Sequence, residues 1–354
     1  MKLVIVGSNS IHTKRYIAGI IAQERFVVTI ITNQAMSEFV NTPQIVVNFA
    51  LSNFKAVTQI RRELNIINPD IVHIHQANSY AWHSLRALNK FKLRPRVILT
   101  TWGSDVLILP KQSRLMRRMV KYNLHNADVI TADSLFMSAK IGELLESTSR
   151  PIHTLNFGIQ HLPERMNLQQ TKQKIILSNR LHKPLYRIDK IIQAFANLVK
   201  HNLIDDTYQL VIAAAGEETP FLQNLVARLE VTSRVKFTGM LPYEQLINYY
   251  QSATVFVSVP QSDGTASSLL EAMAHGCIPV LSNLPANLEW VLDQINGFIA
   301  PELGNLQQQI LAAIKLSENI ERYQQLYDFN YQTIQLKASA ESNLAKFTKL
   351  YDAQ

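Results

Sequence analysis

VPQSDGTASSLLEAMAHGCIPVLSN, residues 259–283, carries a strand end, a loop, a helix and a new strand within 25 positions. The apolar run before it stops at Val259 and Pro260, and Ser262, Asp263 and Gly264 form a turn-prone loop. A helix rich in small residues follows, Gly276 stops it, and Pro279 opens the next strand pattern. The first turn of that helix, from about Thr265 through Ala266 and Ser267 to Ser268, offers N–H groups that no helical carbonyl can take. Such a terminus accommodates an anion, and Gly264 lets the backbone come close to it. Asp263 in the loop and Glu271 on the helix stand eight positions apart. On spacing alone they are either site carboxylates or a turn residue and a solvated acid.

The same order repeats in both directions from this segment. Strand patterns are read at 174–178, 210–215, 235–238, 255–259 and 279–282. Helical patterns at 189–200, 221–229, 243–251 and 267–275 lie between them. The first half has its own series, with strands at 2–6, 27–32, 71–75, 97–101 and 129–131 and helices such as 53–67 and 113–125. Continuous apolar strands alternating with amphipathic helices predict parallel sheets covered on both faces. The polar, aperiodic stretch QHLPERMNLQQTKQK, residues 160–174, is the best linker. Residues 1–163 and 164–334 are therefore read as two doubly wound α/β domains. The ligand crevice of such a sheet lies outside the carboxyl ends of its strands, so two facing sheets leave a cleft.

Composition removes other classes. The chain has 354 residues, 47% hydrophobic and 18% charged, with 11 Gly and 13 Pro scattered without a period. Disordered, collagenous and repeat architectures are excluded. A single cysteine, Cys277, precludes an internal disulfide and any C-x-x-C metal site. The opening MKLVIVGSNS has too short an apolar run for a signal peptide, and no stretch approaches the roughly 20 apolar residues of a spanning helix. The sequence thus predicts a cytoplasmic protein. Residues 1–163 carry 19 Lys+Arg against 9 Asp+Glu, and residues 164–354 carry 16 against 18. The whole basic excess lies in the first half, which favours anionic partners.

The acidic residue, seven intervening positions and Glu-Ala-Met-Ala-x-Gly-x-Pro-Val of the opening segment resemble the signature of glycosyltransferase family 4. PDIVHIH (69–75), TTWGSD (100–105), ADVITADS (127–134) and NFGI (156–159) follow the order of that family's first-domain motifs. SNRL (178–181), VKFTGML (235–241) and NLPANLEWVLDQINGFI (283–299) follow in the second domain. SNLAKFTKLY (342–351) resembles its last helix. The resemblance implies a GT-B fold: two doubly wound Rossmann-like domains facing a cleft, with the C-terminal helix 335–354 packing back on the first. It further implies a retaining transferase that takes a sugar from a nucleotide-sugar, UDP-sugars being the commoner donors.

Site residues follow from the same resemblance. Glu271 would bind the donor ribose, a carboxylate being able to accept from two vicinal hydroxyls. Asp263 would accept from the donor sugar and stabilise developing positive charge, although the family usually has Glu there. Arg180 matches the family's phosphate-binding arginine. The family's second cation, a Lys, falls at Leu185, so Lys183, Arg187 or Lys190 is expected to substitute, with Arg187 preferred. Fixed cations stabilise a departing diphosphate, and the absence of any Asp-x-Asp points to chemistry with no metal and no cofactor.

In the first domain VGSNSIHTKRY (6–16) is a strand, loop and helix start with one glycine, which is not a dinucleotide fingerprint. Ser10 and His12 are expected near the donor diphosphate and the acceptor. His73 and His75 are expected to be structural. Trp102 stands where the family commonly has His, and its indole offers one N–H and a flat face for a sugar ring. Asp105 either orients an acceptor hydroxyl or caps the next segment. KQSRLMRRMVKYNLH (111–125) has Leu115, Met116, Met119 and Val120 at helical spacing beside a basic stripe of Arg114, Arg118 and Lys121. That face is either solvated or suited to anionic lipid headgroups.

The sequence reading is thus a metal-independent hexosyltransferase of glycan, lipopolysaccharide or capsule assembly, peripheral on the inner face of the cell membrane. Its partners are a nucleotide-sugar and a saccharide or lipid-linked saccharide, with nucleic acid excluded by the lack of interleaved aromatics. The alternatives are a non-catalytic subunit of the same fold and a sugar-nucleotide epimerase.

Overall fold

The computed structural model describes residues 1–146 and 150–352. The chain divides into two compact units, Gly158–Ala340 and Met1–Phe157 joined by the C-terminal segment from Glu341.

The first unit is built on seven strands: β1 (Lys2–Gly7), β2 (Val27–Thr32), β3 (Gln44–Val46), β4 (Ile71–His75), β5 (Arg96–Thr100), β6 (Val129–Ala132) and β7 (Ile152–Thr154). All pair in parallel in the order β3-β2-β1-β4-β5-β6-β7. The order reverses between β1 and β4, so the loops after these two strands part at that point and open a crevice. Successive side chains of a strand point to opposite faces. Val4, Val6, Val72, Ile74, Val97 and Leu99 accordingly enter one buried cluster. Leu3, Ile5, Ile30, Ile71 and Ile98 enter the other, which Phe347, Leu350 and Tyr351 of the helix Ala340–Asp352 complete.

A buried polar chain fixes that last helix. Tyr351 Oη lies 2.6 Å from Tyr16 Oη and 2.7 Å from His73 Nδ1. His73 Nε2 lies 2.7 Å from Thr100 Oγ1, which lies 2.7 Å from Thr131 Oγ1. The chain crosses β4, β5 and β6, and each member's polar atoms find a partner where water is excluded. This is the structural role expected of His73.

The second unit repeats the plan with six strands: β8 (Gln173–Ser178), β9 (Gln209–Ile212), β10 (Val235–Phe237), β11 (Ala253–Ser258), β12 (Ile278–Ser282) and β13 (Phe298–Ala300). They are parallel in the order β10-β9-β8-β11-β12-β13, and the reversal falls between β8 and β11. β11 is buried at every position. Val255 and Val257 face a cluster containing Ile176, Ile212 and Ile191, while Phe256 faces one containing Leu177, Leu270 and Met273. Among the described residues no helix is long and apolar enough to cross a membrane.

Candidate functional site

The reversal point of the second sheet sets two loops side by side, the one that follows β8 and the one that follows β11. Arg180 lies two residues past β8 and Asp263 five residues past β11. Arg180 Nη2 donates to Asp263 Oδ2 across 2.7 Å, and Arg180 Nη1 donates to Ser268 Oγ across 3.3 Å. The guanidinium carbon stands 4.5 Å from the centre of the Tyr186 ring, which holds the plane of the fork. Side-chain exposures of 11% and 20% place the Arg180–Asp263 pair well inside the surface but still open to a ligand.

The helix Ser267–Ala274 has no side-chain cap at Ala266. Leu269 N–H donates to the carbonyl of Ala266, so within this turn the amides nearest the start are the ones available to an anion. Thr265 spends its hydroxyl on the indole N–H of Trp290, 3.2 Å away. Gly264 is buried with a φ outside the left-handed region.

Glu271 is buried on the same helix, only 5% exposed. Its carboxylate hydrogen-bonds the phenol of Tyr250, whose proton is held well above the usual range by burial first and by Glu271 second. Asn179 Nδ2 donates to Tyr250 Oη across 2.6 Å. Consecutive residues after β8 therefore serve both carboxylates, Arg180 directly and Asn179 through Tyr250. Neither Asn179 nor Tyr250 is among the residues expected from sequence. Tyr250 sits in the helix Tyr243–Ser252, where its spacing reads as ordinary core, and no local pattern signals its cross-strand partners.

The cations beside Arg180 go to different tasks. Arg187, the expected second phosphate ligand, donates Nε to the carbonyl of Val259 at 2.6 Å and Nη2 to that of Pro260 at 2.5 Å. Two main-chain carbonyls fix this guanidinium, so Arg187 braces the β11 loop. Lys190 stands 3.3 Å from Asp189 and 3.2 Å from Gln193. Lys183 is exposed, with no ion pair among the described residues.

Residues expected in the first unit sort in a similar way. Ser10 caps the helix Ile11–Ile21, its hydroxyl accepting from Thr13 N–H at 3.3 Å and bonded to Thr13 Oγ1 at 3.0 Å. Asp105 is 3% exposed and accepts from Ala77 N–H at 2.7 Å and Trp102 N–H at 3.0 Å. Burial raises its pKa against the pull of these backbone donors. Through these two bonds it joins the loops after β4 and β5. Gly103 between them holds a φ of 97°, a conformation that only glycine adopts without strain.

Trp102 and His12 meet edge to face, 5.5 Å between ring centres. Trp102 also leans on His75 at 5.9 Å and Phe157 at 5.8 Å. The Trp102 Nε1 atom and both His75 nitrogens are enclosed without a partner among the described residues. Burial pushes the His75 pKa down to about 3, so the ring is neutral.

In the basic helix Arg114–His125, Met119, Val120 and Leu124 face inward, whereas Leu115 is 69% exposed among Arg114, Arg117 and Arg118. The expected apolar stripe is thus interrupted by one leucine on the cationic side. Lys121 leaves the stripe to pair with Glu146 at 2.7 Å.

Comparison with known proteins gives a consistent picture. The family "Glycosyl transferases group 1" matches residues 159–333, and "Glycosyl transferase 4-like" matches residues 2–134. N-acetyl-alpha-D-glucosaminyl L-malate synthase of Bacillus anthracis is 21% identical over 292 residues, 80% of this chain and 74% of that protein. Alpha-monoglucosyldiacylglycerol synthase of Streptococcus pneumoniae is 23% identical over 304 residues, 80% of this chain and 67% of that protein. A glycosyltransferase of Rickettsia africae superposes with a TM-score of 0.81 at 15% identity, covering 99% of this chain and 97% of its own. Anabaena Alr3699/HepE, solved in complex with UDP-glucose, superposes with a TM-score of 0.81 at 13% identity over 100% of both chains.

Proposed function

Because the chain belongs to the group 1 and 4-like glycosyltransferases and has their GT-B fold, we propose that it moves a sugar from a UDP-sugar to a saccharide or lipid-linked saccharide, with retention and without a metal ion. The observation that carries this reading is the Arg180–Asp263 pair beside the open start of the helix that bears Glu271. Glu271 takes the ribose hydroxyls. The amides of the first helical turn and the remaining N–H groups of Arg180 take the diphosphate. Its charge grows as the glycosidic bond breaks, and donors already aimed at it lower that barrier. Asp263 lies next to the same cation and supports the positive charge that develops on the sugar carbon. No side chain needs to act as nucleophile, because the acceptor proton passes to the leaving phosphate oxygen on the same face. That route returns the original anomeric configuration.

The names of the two curated relatives support a sugar-transferring reading, both products being designated alpha, while one ends on malate and the other on diacylglycerol. Acceptor chemistry therefore varies among relatives of this chain. The basic helix Arg114–His125 with exposed Leu115 favours an acceptor at an anionic membrane surface, in glycan, lipopolysaccharide or capsule assembly. UDP is favoured as the nucleotide because a protein of the same fold was solved with UDP-glucose.

A thermal-shift panel of nucleoside diphosphates tests the core of the proposal. A ligand at 100 times its dissociation constant stabilises by about 2.7 kcal/mol, and UDP is expected to do so while Glu271→Ala abolishes the shift. Turnover that disappears with EDTA would overturn the metal-free part, and an inverted product anomer by NMR would overturn retention.

A further inference from the structure

Tyr250 is fully buried, and its phenolic oxygen is shared by two polar neighbours of different kind. One is Glu271; the other is Asn179, whose Nδ2 lies 2.6 Å away. An ionised carboxylate only accepts hydrogen bonds, so the single proton of the phenol is committed to Glu271. The phenol must then accept from Asn179, and only the amide nitrogen can donate. This directional chain fixes the orientation of the Asn179 amide, leaving Oδ1 turned away from Tyr250. That oxygen is enclosed and without a partner among the described residues. A buried, unpaired acceptor is costly and calls for a donor from elsewhere.

We propose that Asn179 and Tyr250 are positioning residues that make this site selective for a ribonucleotide over its 2′-deoxy counterpart. The inference rests on the reading that Glu271 holds the donor ribose. Tyr250 keeps one Glu271 oxygen occupied and thereby aims the other lone pairs at the sugar. Asn179 holds the phenol in that orientation by donating to its oxygen. Lone pairs so aimed match the two O–H donors of a vicinal diol. A 2′-deoxyribose supplies one donor fewer and leaves a buried acceptor unsatisfied, which polar sites reject strongly.

Calorimetric titration of the full chain with UDP and with 2′-deoxy-UDP tests this, alongside Tyr250→Phe, Asn179→Asp and Glu271→Ala. The wild type is expected to prefer UDP by at least about ten-fold. Tyr250→Phe removes the donor to Glu271. Asn179→Asp offers the phenol proton a competing carboxylate. Both variants should lose most of the preference by weakening UDP, with 2′-deoxy-UDP little changed. Equal weakening of both nucleotides would mean that the residues only shape the pocket, and an unchanged preference would mean that they do nothing for the ribose; either result overturns the proposal. Should Tyr250→Phe fail to fold, Asn179→Asp, at a half-buried position, decides alone. If Glu271→Ala still binds UDP normally, the underlying reading of the nucleotide site falls. If Glu271→Ala abolishes binding while the other two behave as wild type, only the present inference falls.

Discussion

Arg180 donates to Asp263 across 2.7 Å and so joins the loops after β8 and β11, the two strands that flank the reversal point of the second sheet. The pair is too enclosed to behave as an exposed ion pair, which typically contributes less than about 1 kcal/mol. Removing one partner from an enclosed pair strands the other.

Arg180→Ala is therefore expected to lower turnover on the order of 10²–10³-fold, the loss seen when one preorganised electrostatic donor is deleted. Arg180→Lys restores the charge but neither the fork that spans Asp263 and Ser268 nor the stacking on Tyr186, and should recover only part of the rate. Initial rates of UDP release from a UDP-sugar measure both. Wild-type turnover in Arg180→Ala would show that the leaving diphosphate lies elsewhere.

Acid should destabilise the first unit through His73 and His75. Burial lowers both pKa values, that of His75 to about 3, while the unfolded rings titrate near 6.5. Between these limits the unfolded chain binds more protons than the folded one, so stability rises with pH across that window and is lost as pH falls below about 6.5. Each ring contributes a slope of up to about 1.4 kcal/mol per pH unit. Urea unfolding at pH 7 and pH 5 measures the difference, and His75→Phe should flatten part of it. An identical slope in wild type and variant would show that His75 is charged in the fold.

How much of this was legible in the sequence differs between fold and site. The long strands around each reversal point announce themselves as apolar runs. All four edge strands, β3, β7, β10 and β13, have three residues each, too few to show a period, and only β10, inside the VKFTGML motif, was expected. The turn of π-helix at Ser104–Ile108 was also invisible, because it depends on the positive φ of Gly103 and on the bond from Ala77 N–H in the β4 loop to Asp105. Arg180, Asp263 and Glu271 could be picked out because each lies in a motif, and the structure gathers them around the residues that follow β8. Ser10, Asp105 and Arg187 sit in motifs just as clear, yet each hydrogen-bonds the backbone of its own unit. Sequence gives the residue type at a loop, while the hydrogen-bond partner that decides its task comes from a different strand.

Binding to anionic vesicles should depend on Arg114, Arg117 and Arg118, all exposed on one helix around Leu115. A cation near an anionic bilayer contributes about 1 kcal/mol, so reversing all three to Glu should weaken binding by at least about 10²-fold. Sedimentation with neutral and anionic vesicles measures this, and added salt should act in the same direction. Equal binding to both vesicle types would remove the membrane from the account.

Gly216 and Gly142 make a paired test of how tightly the β8 loop is held. A Cβ added at Gly216 would lie 2.5 Å from the carbonyl oxygen of His182 and 2.9 Å from its backbone nitrogen and carbon. None of those atoms can rotate away, since His182 N–H donates to the Ala215 carbonyl and its own carbonyl accepts from Glu218 N–H at 3.0 Å. Gly216→Ala must therefore displace the segment that carries Arg180 two residues earlier. Overpacking of this kind costs about 1–3 kcal/mol, and UDP affinity should fall with it. Gly142 lies inside the helix Leu135–Leu145, and a Cβ there meets nothing within 4 Å. Gly142→Ala should stabilise by about 0.5–1 kcal/mol through helix propensity and leave UDP binding unchanged. Melting curves with and without UDP separate the two cases, and a Gly216→Ala protein that binds UDP as the wild type does would show that the β8 loop tolerates displacement without loss of the site.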